Sequence, residues 1–238
     1  MIAATKPSFR KQTEFKLDSI VPWGRRLDEY SAFFALKDIL PRARILDIGG
    51  GPSSFACEAA LLGFDVQAVD PIYACEGRAI RERFDATAPA MRTGLRSAAY
   101  RFKWKYYGSE EQIYRRRLEA LNLFLDDFEG AGCGRYISGA LPDLPVGDRA
   151  FDFALISHLL FLYGDELDSD FHIRALREAL RVADEVRVFP LVNLDGRPSS
   201  HLPDVMHALA GDGFDVGTEP VDFEFQLGAT RMLRIRHV

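Results

Sequence analysis

Short apolar runs alternate with longer amphipathic segments along most of this chain. Apolar runs bounded by Gly, Pro and Asp are typical of buried strands, and apolar residues at helical spacing between them indicate crossover helices. The pattern predicts an α/β fold with a mostly parallel sheet. The predicted strands are Arg44 to Ile48, Val66 to Val69, Tyr136 to Ser138, Phe151 to Ile156, Val186 to Phe189, Phe214 to Val216 or the stretch to Phe225, and Met232 to Arg236.

Three helices are well marked outside the longest connection. The first predicted crossover helix runs from Ser53, a potential N-cap, to Leu62, and Gly63 ends it. A second runs from about Asp170 to Val182, with apolar residues on one face and arginines on the other. A further amphipathic helix, Arg26 to Leu40, with Leu27, Phe34 and Ile39 packed on the sheet, is the structural alternative to a cofactor role for the segment ahead of the first strand.

The connection between the second and third predicted strands is longer than one crossover helix needs. Its middle, Tyr100 to Tyr107, fits either a strand or a helical face. We predict a helix there, because the following segment EEQIYRRRLEALNLFLDDF is amphipathic and rich in helix formers. The prediction is thus one domain over 1–238, with an N-terminal cap segment at 1–41 and a helical insertion at 85–130.

Charge is unevenly distributed along the chain. The chain has 30 Lys and Arg residues and 35 Asp and Glu residues, a formal net charge of -5. The protein as a whole therefore lacks the positive charge that is typical of nucleic-acid-binding proteins. From Arg78 to Arg117, however, eleven basic residues face four acidic ones, and aromatic residues are interleaved among them. Three interpretations stay open: a helical subdomain with an aromatic core, which ranks first, a lid over a small anionic substrate, or an RNA-binding surface.

The cysteines and histidines favour neither disulfides nor a metal site. Cys57, Cys75 and Cys133 form no close pair, and no group of His, Cys and carboxylate residues has ligand spacing. No apolar run approaches the roughly 20 residues of a membrane-spanning helix. We therefore expect a cytoplasmic protein without a metal and without membrane insertion.

The strongest chemical signal is RILDIGGGPSSFACEAALLGFDVQAVDPIY, from Arg44 to Tyr73. Its three glycines, Gly49, Gly50 and Gly51, let the backbone turn sharply and approach a ligand closely. Asp70 ends the next strand, where a carboxylate can accept hydrogen bonds from both hydroxyls of a ribose. The pattern therefore predicts a nucleoside cofactor at the carboxyl ends of the strands.

Departures from the dinucleotide-binding fingerprint narrow the range of cofactors that this motif could bind. Ser54 replaces the third glycine of that fingerprint, and Asp47 would place a negative charge beside a pyrophosphate. A cationic ligand suits Asp47 better. The D-x-G-x-G stretch resembles motif I of the class I S-adenosylmethionine-dependent methyltransferases, and Asp70 matches the ribose-binding acid of that family.

The resemblance extends to LPDLPVGDRAFDFALISHLL, which is similar to the family's region from the adenine loop into the fourth strand. It implies a doubly wound sheet with an antiparallel last strand and S-adenosyl-L-methionine as cofactor. The chain has Ala140 where the family often has an adenine-binding Asp, so backbone groups of Ala140 and Leu141, or another acid such as Asp143, are expected to hold adenine. The cofactor-binding residues it implies are Asp47, Gly49, Gly50, Gly51, Asp70, Pro71, Ala140, Leu141 and Ser157.

The segment VPWGRRLDEY lies where, in the resembling enzymes, the chain often folds over the cofactor. We expect Trp23 and Arg25 to contact the cofactor, with Arg25 paired to its carboxylate, and Tyr30 to contact the cofactor or the substrate. The opening VPWGR and the motif VDPIY are also similar to a bacterial group of methyltransferase-like proteins with no assigned substrate.

His158 follows the fourth predicted strand and is our candidate catalytic base, although a purely structural histidine is an equal alternative. Tyr107 in the insertion and Arg197 and His201 after the fifth strand are candidate substrate contacts, although His201 also fits a helix start. The family's N-P-P-Y-type motif for methylating nucleic-acid bases is absent here. The sequence thus predicts methyl transfer to a small-molecule O, N or S acceptor. A cofactor-sensing or partner-binding domain and a nicotinamide-dependent oxidoreductase are the alternatives.

Overall fold

A seven-stranded sheet forms the centre of the computed structural model, which describes residues 22–38 and 42–238. The strand order is β3-β2-β1-β4-β5-β7-β6, and only β7 runs against its neighbours. The strands are β1 Arg44–Ile48, β2 Asp65–Val69, β3 Tyr136–Ile137, β4 Phe151–Ser157, β5 Ala183–Phe189, β6 Asp215–Pro220 and β7 Arg231–Arg236.

Helices cover both faces of this sheet. Buried residues of the first four helices pack on one face, and those of the last two pack on the other. No helix within the described ranges is long and apolar enough to cross a membrane. The helices are α1 Leu27–Phe34, α2 Phe55–Leu61, α3 Gly77–Ser97, α4 Glu110–Phe128, α5 Ser169–Val182 and α6 Leu202–Gly211.

The doubly wound sheet with a reversed last strand confirms the predicted fold class, and α3 and α4 supply the predicted helices between β2 and β3. The prediction of a helix over Tyr100 to Tyr107 was wrong. That segment forms a short 3₁₀ turn and a loop, in which Phe102 bridges to Gln226 and stacks on Phe225 at 4.6 Å. Contacts with the β6–β7 connection therefore override the helical propensity of the segment.

The helix ahead of β1 is shorter than predicted. It ends at Phe34, because Ala35 adopts a left-handed backbone conformation with φ 49° and a 3₁₀ turn follows. Leu27 is partly buried and Phe34 fully buried against the sheet, as expected. Ile39, Leu40 and residues 1–21 of the predicted cap segment lie outside the described residues.

Candidate functional site

A cavity of about 310 Å³ opens at the carboxyl ends of β1, β2 and β4. Ligands of open α/β sheets bind at this edge. Most of the site residues predicted from the sequence line this cavity: Trp23, Arg25, Tyr30, Gly49, Gly50, Gly51, Asp70, Pro71, Ala140, Leu141, Ser157 and His158. The fold therefore brings together residues that lie up to 135 positions apart in the chain.

The turn after β1 requires glycine for two separate reasons. Gly49 and Gly51 have φ of 70° and 56°, a region that residues with a Cβ rarely adopt. Gly50 has ordinary backbone angles, but a Cβ there would lie 2.3 Å from Asp47 Oδ2. The turn thus packs directly on a carboxylate beneath it.

That carboxylate belongs to Asp47, which is fully buried under the glycine turn instead of lining the cavity. The hydroxyl of Tyr30 donates to Asp47 Oδ1 at 2.9 Å and to Oδ2 at 3.1 Å. Burial raises the pKa of Asp47 to about 7, and the nearby Asp70 raises it too, while the Tyr30 hydrogen bond and Arg25 oppose the rise. Asp47 is therefore poised to respond to a cation placed above the turn.

Asp70 is held by two backbone hydrogen bonds at the end of β2. Its Oδ2 accepts from Gly51 N–H at 3.0 Å and its Oδ1 accepts from Ile72 N–H at 2.8 Å. Burial raises the pKa of this carboxyl, whereas the two amide donors and Arg83 lower it. Because each carboxylate oxygen has a second lone pair, Asp70 can still accept from a ligand in the cavity.

The N-terminal segment crosses directly over the loop that follows the glycine turn. A Cβ on Gly24 would lie 1.9 Å from the carbonyl oxygen of Pro52, so only glycine permits this crossing. Ser54 N–H donates to the carbonyl of Arg25 at 3.1 Å, and the Ser53 hydroxyl donates to the same oxygen. These bonds fix the backbone of Arg25 beside the cavity.

The guanidinium of Arg25 has few protein partners. One terminal nitrogen donates to Trp23 O at 3.1 Å, whereas its buried Nε has no hydrogen-bond partner among the described residues. The indole N–H of Trp23 is also buried without a partner within the described part of the chain. Burial lowers the pKa of Arg25, and so does the neighbouring Arg117. A half-buried guanidinium whose buried Nε has no protein acceptor suits an anionic group of a ligand.

Glu29, the carboxylate whose charge raises the pKa of Arg25, is already engaged. Arg117 donates to both Glu29 oxygens at 2.8 and 2.7 Å, and the Tyr107 hydroxyl donates to Oε1. Glu29, Arg117 and Tyr107 are all almost completely buried between α1 and α4. Sequence reasoning missed this ion pair, since no motif links positions 88 residues apart.

His158 lies at the end of β4 with a left-handed φ of 51°. Its Nδ1 lies 2.9 Å from the Ser157 hydroxyl, and its ring packs against Phe33 and Phe189. Desolvation lowers the pKa of His158 well below its ordinary value, and Arg25 and Arg117 add to the shift. The imidazole is therefore neutral at neutral pH, with Nε2 left over for a ligand.

Besides Asp47, three predicted site residues and one alternative lie outside the cavity lining. Tyr107 is buried in the Glu29 ion pair, and Arg197 is exposed in the loop after β5. His201 bonds Ser169 at 2.7 Å and the Gly164 carbonyl at 2.7 Å at the start of α6. Asp143, the alternative adenine acid, is exposed and also outside the lining. Their ligand roles stay predictions.

Most of the remaining residues that line the cavity were not predicted from the sequence. Part of the helical pattern was present, because Arg83 and Met91 are eight positions apart and so lie on one face of α3. The loops after β4 and β5 carry no periodicity that would mark them. The additional lining residues include Arg83, Met91, Leu159, Leu162, Tyr163, Phe171 and Leu194.

Comparisons with known proteins place the fold. No protein-family model matches the chain. It is 29% identical over 221 residues to the uncharacterized protein MJ0045 of Methanocaldococcus jannaschii, an alignment that covers 92% of this chain and 97% of the relative. The structure is similar to that of the PH0226 protein from Pyrococcus horikoshii, with a TM-score of 0.51 at 11% identity over 89% of this chain and 90% of that one.

A second similar structure is the magnesium protoporphyrin IX methyltransferase of Synechocystis with bound SAH. Its TM-score is 0.49 at 14% identity, over 89% of this chain and 81% of that one. The doubly wound sheet with its reversed β7 is the architecture that the resemblance to class I methyltransferases implies. That resemblance is thereby confirmed at the level of the fold.

Proposed function

We propose that this protein binds S-adenosyl-L-methionine and transfers its methyl group to a small-molecule acceptor. The observation that carries the proposal is a single cavity that joins a glycine turn, a strand-end acid and a half-buried arginine whose buried Nε has no protein acceptor. A zwitterionic nucleoside needs these features at its two ends.

The nucleoside end of the cofactor suits Asp70. Its two backbone hydrogen bonds orient the carboxylate, and the remaining lone pairs can accept from the two ribose hydroxyls. Pro71, Ala140 and Leu141 line the adjoining wall, so adenine would pack there against apolar groups and peptide edges.

The amino-acid end of the cofactor suits Arg25 and Asp47. The buried Nε of Arg25 gains an acceptor if the cofactor carboxylate lies beside it. Asp47 sits under Gly50 and favours positive charge above the turn. A Cβ on Gly51 would meet nothing within 4 Å, so the turn leaves open space at the point where a ligand must come close.

The bound cofactor would supply an electrophilic methyl group on a positively charged sulfur. In the displacement, the acceptor's nucleophilic atom forms the new bond to carbon while the carbon–sulfur electron pair stays on sulfur. His158, being neutral, can take up the proton that a hydroxyl, amine or thiol acceptor must lose. The remaining lining residues contribute by orienting the two reactants and excluding water.

A nicotinamide cofactor fits these residues less well. The buried Asp47 carboxylate beneath the glycine turn would repel a pyrophosphate. Ser54, at the place of the third fingerprint glycine, is fully buried and donates to Glu58 of α2 at 3.0 Å, so a hydroxyl side chain occupies the place where the fingerprint has glycine.

Thermal unfolding with four ligands in parallel tests the proposal, because a ligand that binds only the native state raises its midpoint. We expect S-adenosylmethionine and S-adenosylhomocysteine to raise the midpoint, and NADH and NADPH to leave it unchanged. In calorimetry, Asp70→Asn should weaken S-adenosylhomocysteine binding at least tenfold, whereas Asp126→Asn, at an exposed acid on α4 outside the cavity lining, should not. Stabilisation by the nicotinamides alone would overturn the proposal, and binding without turnover on any acceptor would favour a sensing domain.

A further inference from the structure

Glu29 lies four positions after Arg25 and is fully buried. The two charges interact, since burial lowers the pKa of Arg25 and the charge of Glu29 opposes this change. Buried charges are normally paired, yet within the described part of the chain the Nε of Arg25 has no acceptor. Other donors must therefore occupy the Glu29 carboxylate.

The hydrogen bonds of Glu29 show which donors these are. Its Oε1 accepts from Arg117 at 2.7 Å and from the Tyr107 hydroxyl. Its Oε2 accepts from Arg117 at 2.8 Å and from the backbone N–H of Arg26 at 2.9 Å. A carboxylate has about four lone-pair sites. All four are used, and none is left for Arg25.

The segment between β2 and β3 supplies three of these four hydrogen bonds. Arg117 on α4 is 3% exposed and bridges both oxygens with the planar fork of its guanidinium. It also donates to the Tyr107 hydroxyl at 3.0 Å and so orients the third donor. Whether Glu29 can pair with Arg25 is therefore decided by α4 and the loop before it.

The charges of this cluster do not balance. Arg25 and Arg117 carry two positive charges against the single negative charge of Glu29. Arg116 and Asp28, which lie beside them, pair with each other at 2.5 Å and cancel. One positive charge is left over on the side of the cluster that lines the cavity, at Arg25.

We propose that Arg117 is a positioning residue for the cofactor: by holding Glu29, it leaves Arg25 to bind the carboxylate of S-adenosylmethionine. The inference rests on the proposed function and gives the segment between β2 and β3 a part in cofactor binding. Arg117 does not line the cavity, so it acts through Glu29. In its absence Glu29 pairs with Arg25, and the amino-acid end of the cofactor loses its partner.

Calorimetry with two ligands tests the proposal. S-adenosylhomocysteine has the carboxylate, whereas 5′-methylthioadenosine keeps the nucleoside and the sulfur but lacks it. Arg117→Met should bind S-adenosylhomocysteine at least tenfold more weakly, as the loss of a charge-assisted hydrogen bond implies, and 5′-methylthioadenosine unchanged. An equal loss of both ligands would reveal a general distortion of the site and overturn the proposal, as would unchanged affinity for S-adenosylhomocysteine.

Arg115→Met is the matched control for charge. Arg115 is exposed on the same helix and pairs with Glu111 one turn away, so its removal takes away the same charge without freeing Glu29. This variant should bind both ligands as the wild type does. A loss of S-adenosylhomocysteine affinity equal to that of Arg117→Met would overturn the proposal, because the overall charge of α4 would then explain both.

A double variant tests the competition directly. Glu29→Gln combined with Arg117→Met removes the competing carboxylate together with its partner, and replacing both members of a buried ion pair costs far less stability than removing one. It should bind S-adenosylhomocysteine with an affinity close to that of the wild type. Failure to recover the affinity lost in Arg117→Met overturns the proposal.

Tyr107→Phe gives the same test if Arg117→Met does not fold. It removes one donor to Glu29 and no charge, so it should weaken S-adenosylhomocysteine binding severalfold and leave 5′-methylthioadenosine binding unchanged. Wild-type affinity for both ligands in this variant would contradict the proposal. Failure of the wild-type protein to bind S-adenosylhomocysteine counts against the proposed function instead, so the two failures are distinguishable.

Discussion

The hydroxyl of Tyr30 donates to both carboxylate oxygens of Asp47, at 2.9 and 3.1 Å. This contact joins α1 to the end of β1, beneath the glycine turn. Tyr30 also stacks on Phe55 at 4.1 Å. Its side chain therefore connects the segment that crosses the cavity to the start of α2. One hydrogen-bonded pair controls the charge under the glycine turn and the position of the covering helix.

The first prediction concerns the pH dependence of cofactor binding. The pKa of Asp47 is about 7 in the free protein, and a cation above the turn should lower it. Binding of S-adenosylmethionine then releases a proton, so its affinity should rise severalfold from pH 6 to pH 8. Calorimetry across this range measures the effect. Asp47→Asn should flatten the profile, and an unchanged slope in that variant would show that another group titrates.

A second prediction follows from the sign of the same shift. Because the folded-state pKa of Asp47 is raised above its ordinary 3.8, its contribution to stability is present at low pH and is lost as the pH rises through 7. Asp47→Asn keeps an acceptor for Tyr30 and removes the buried charge. We expect it to raise the free energy of unfolding at pH 8 by roughly 2 to 4 kcal/mol.

Urea unfolding at pH 5 and pH 8 checks this expectation. The gain should be smaller at pH 5 than at pH 8, because the wild type loses this stability progressively from pH 3.8, where the unfolded carboxyl ionises, up to about pH 7. Tyr30→Phe is the opposing variant, because it removes the hydrogen bond that favours the ionised form, and it should lower stability more at pH 8 than at pH 5. Equal effects at both pH values would contradict a titrating Asp47.

Much of this site could be predicted from the local sequence pattern. Gly49, Gly51 and Asp70 belong to one continuous strand–turn–helix–strand unit, so their proximity follows from short-range geometry. The pairing of Glu29 with Arg117 depends instead on how α4 packs on α1, and no local pattern encodes it. The role of Tyr107 could not be predicted either, because an aromatic residue in a basic segment does not indicate that it will be buried against Glu29 and Arg117. It was therefore predicted to contact the substrate.

The third prediction concerns that buried ion pair. Glu29 is fully buried, and Arg117 is 3% exposed, so Glu29→Gln would leave a buried cation without its counter-charge. Such changes typically cost about 3 to 5 kcal/mol. Asp28→Asn is the control, because Asp28 is exposed and its pairing with Arg116 should contribute at most about 1 kcal/mol. Denaturant unfolding of both variants at pH 7 distinguishes the two sites.

Acid should remove the same stabilisation in the wild type. The Arg117 guanidinium lowers the pKa of Glu29 to about 2 despite burial, which acts in the other direction. The stabilisation is therefore present above the ordinary carboxyl pKa near 4.5 and is lost as the pH falls through 2. Glu29→Gln should accordingly show a shallower loss of stability between pH 4.5 and pH 2 than the wild type. Parallel slopes would contradict this assignment.

The last prediction separates backbone strain from ligand contact at the glycine turn. Gly51 and Gly63 both have positive φ, 56° and 89°, and a Cβ on either would meet no atom within 4 Å. Alanine at either position should therefore cost a similar amount of stability, about 1 to 2 kcal/mol, from the left-handed backbone alone. Only Gly51 lines the cavity, whereas Gly63 follows α2 away from it.

Gly51→Ala should thus weaken S-adenosylhomocysteine binding by tenfold or more, because its methyl group occupies the space through which the ligand approaches the backbone. Gly63→Ala should bind with wild-type affinity at the same loss of stability. Calorimetry together with urea unfolding measures both quantities for each variant. Equal affinities in the two variants would mean that the cofactor does not contact the turn, and Asp70 would then have to bind a ligand that approaches from another direction.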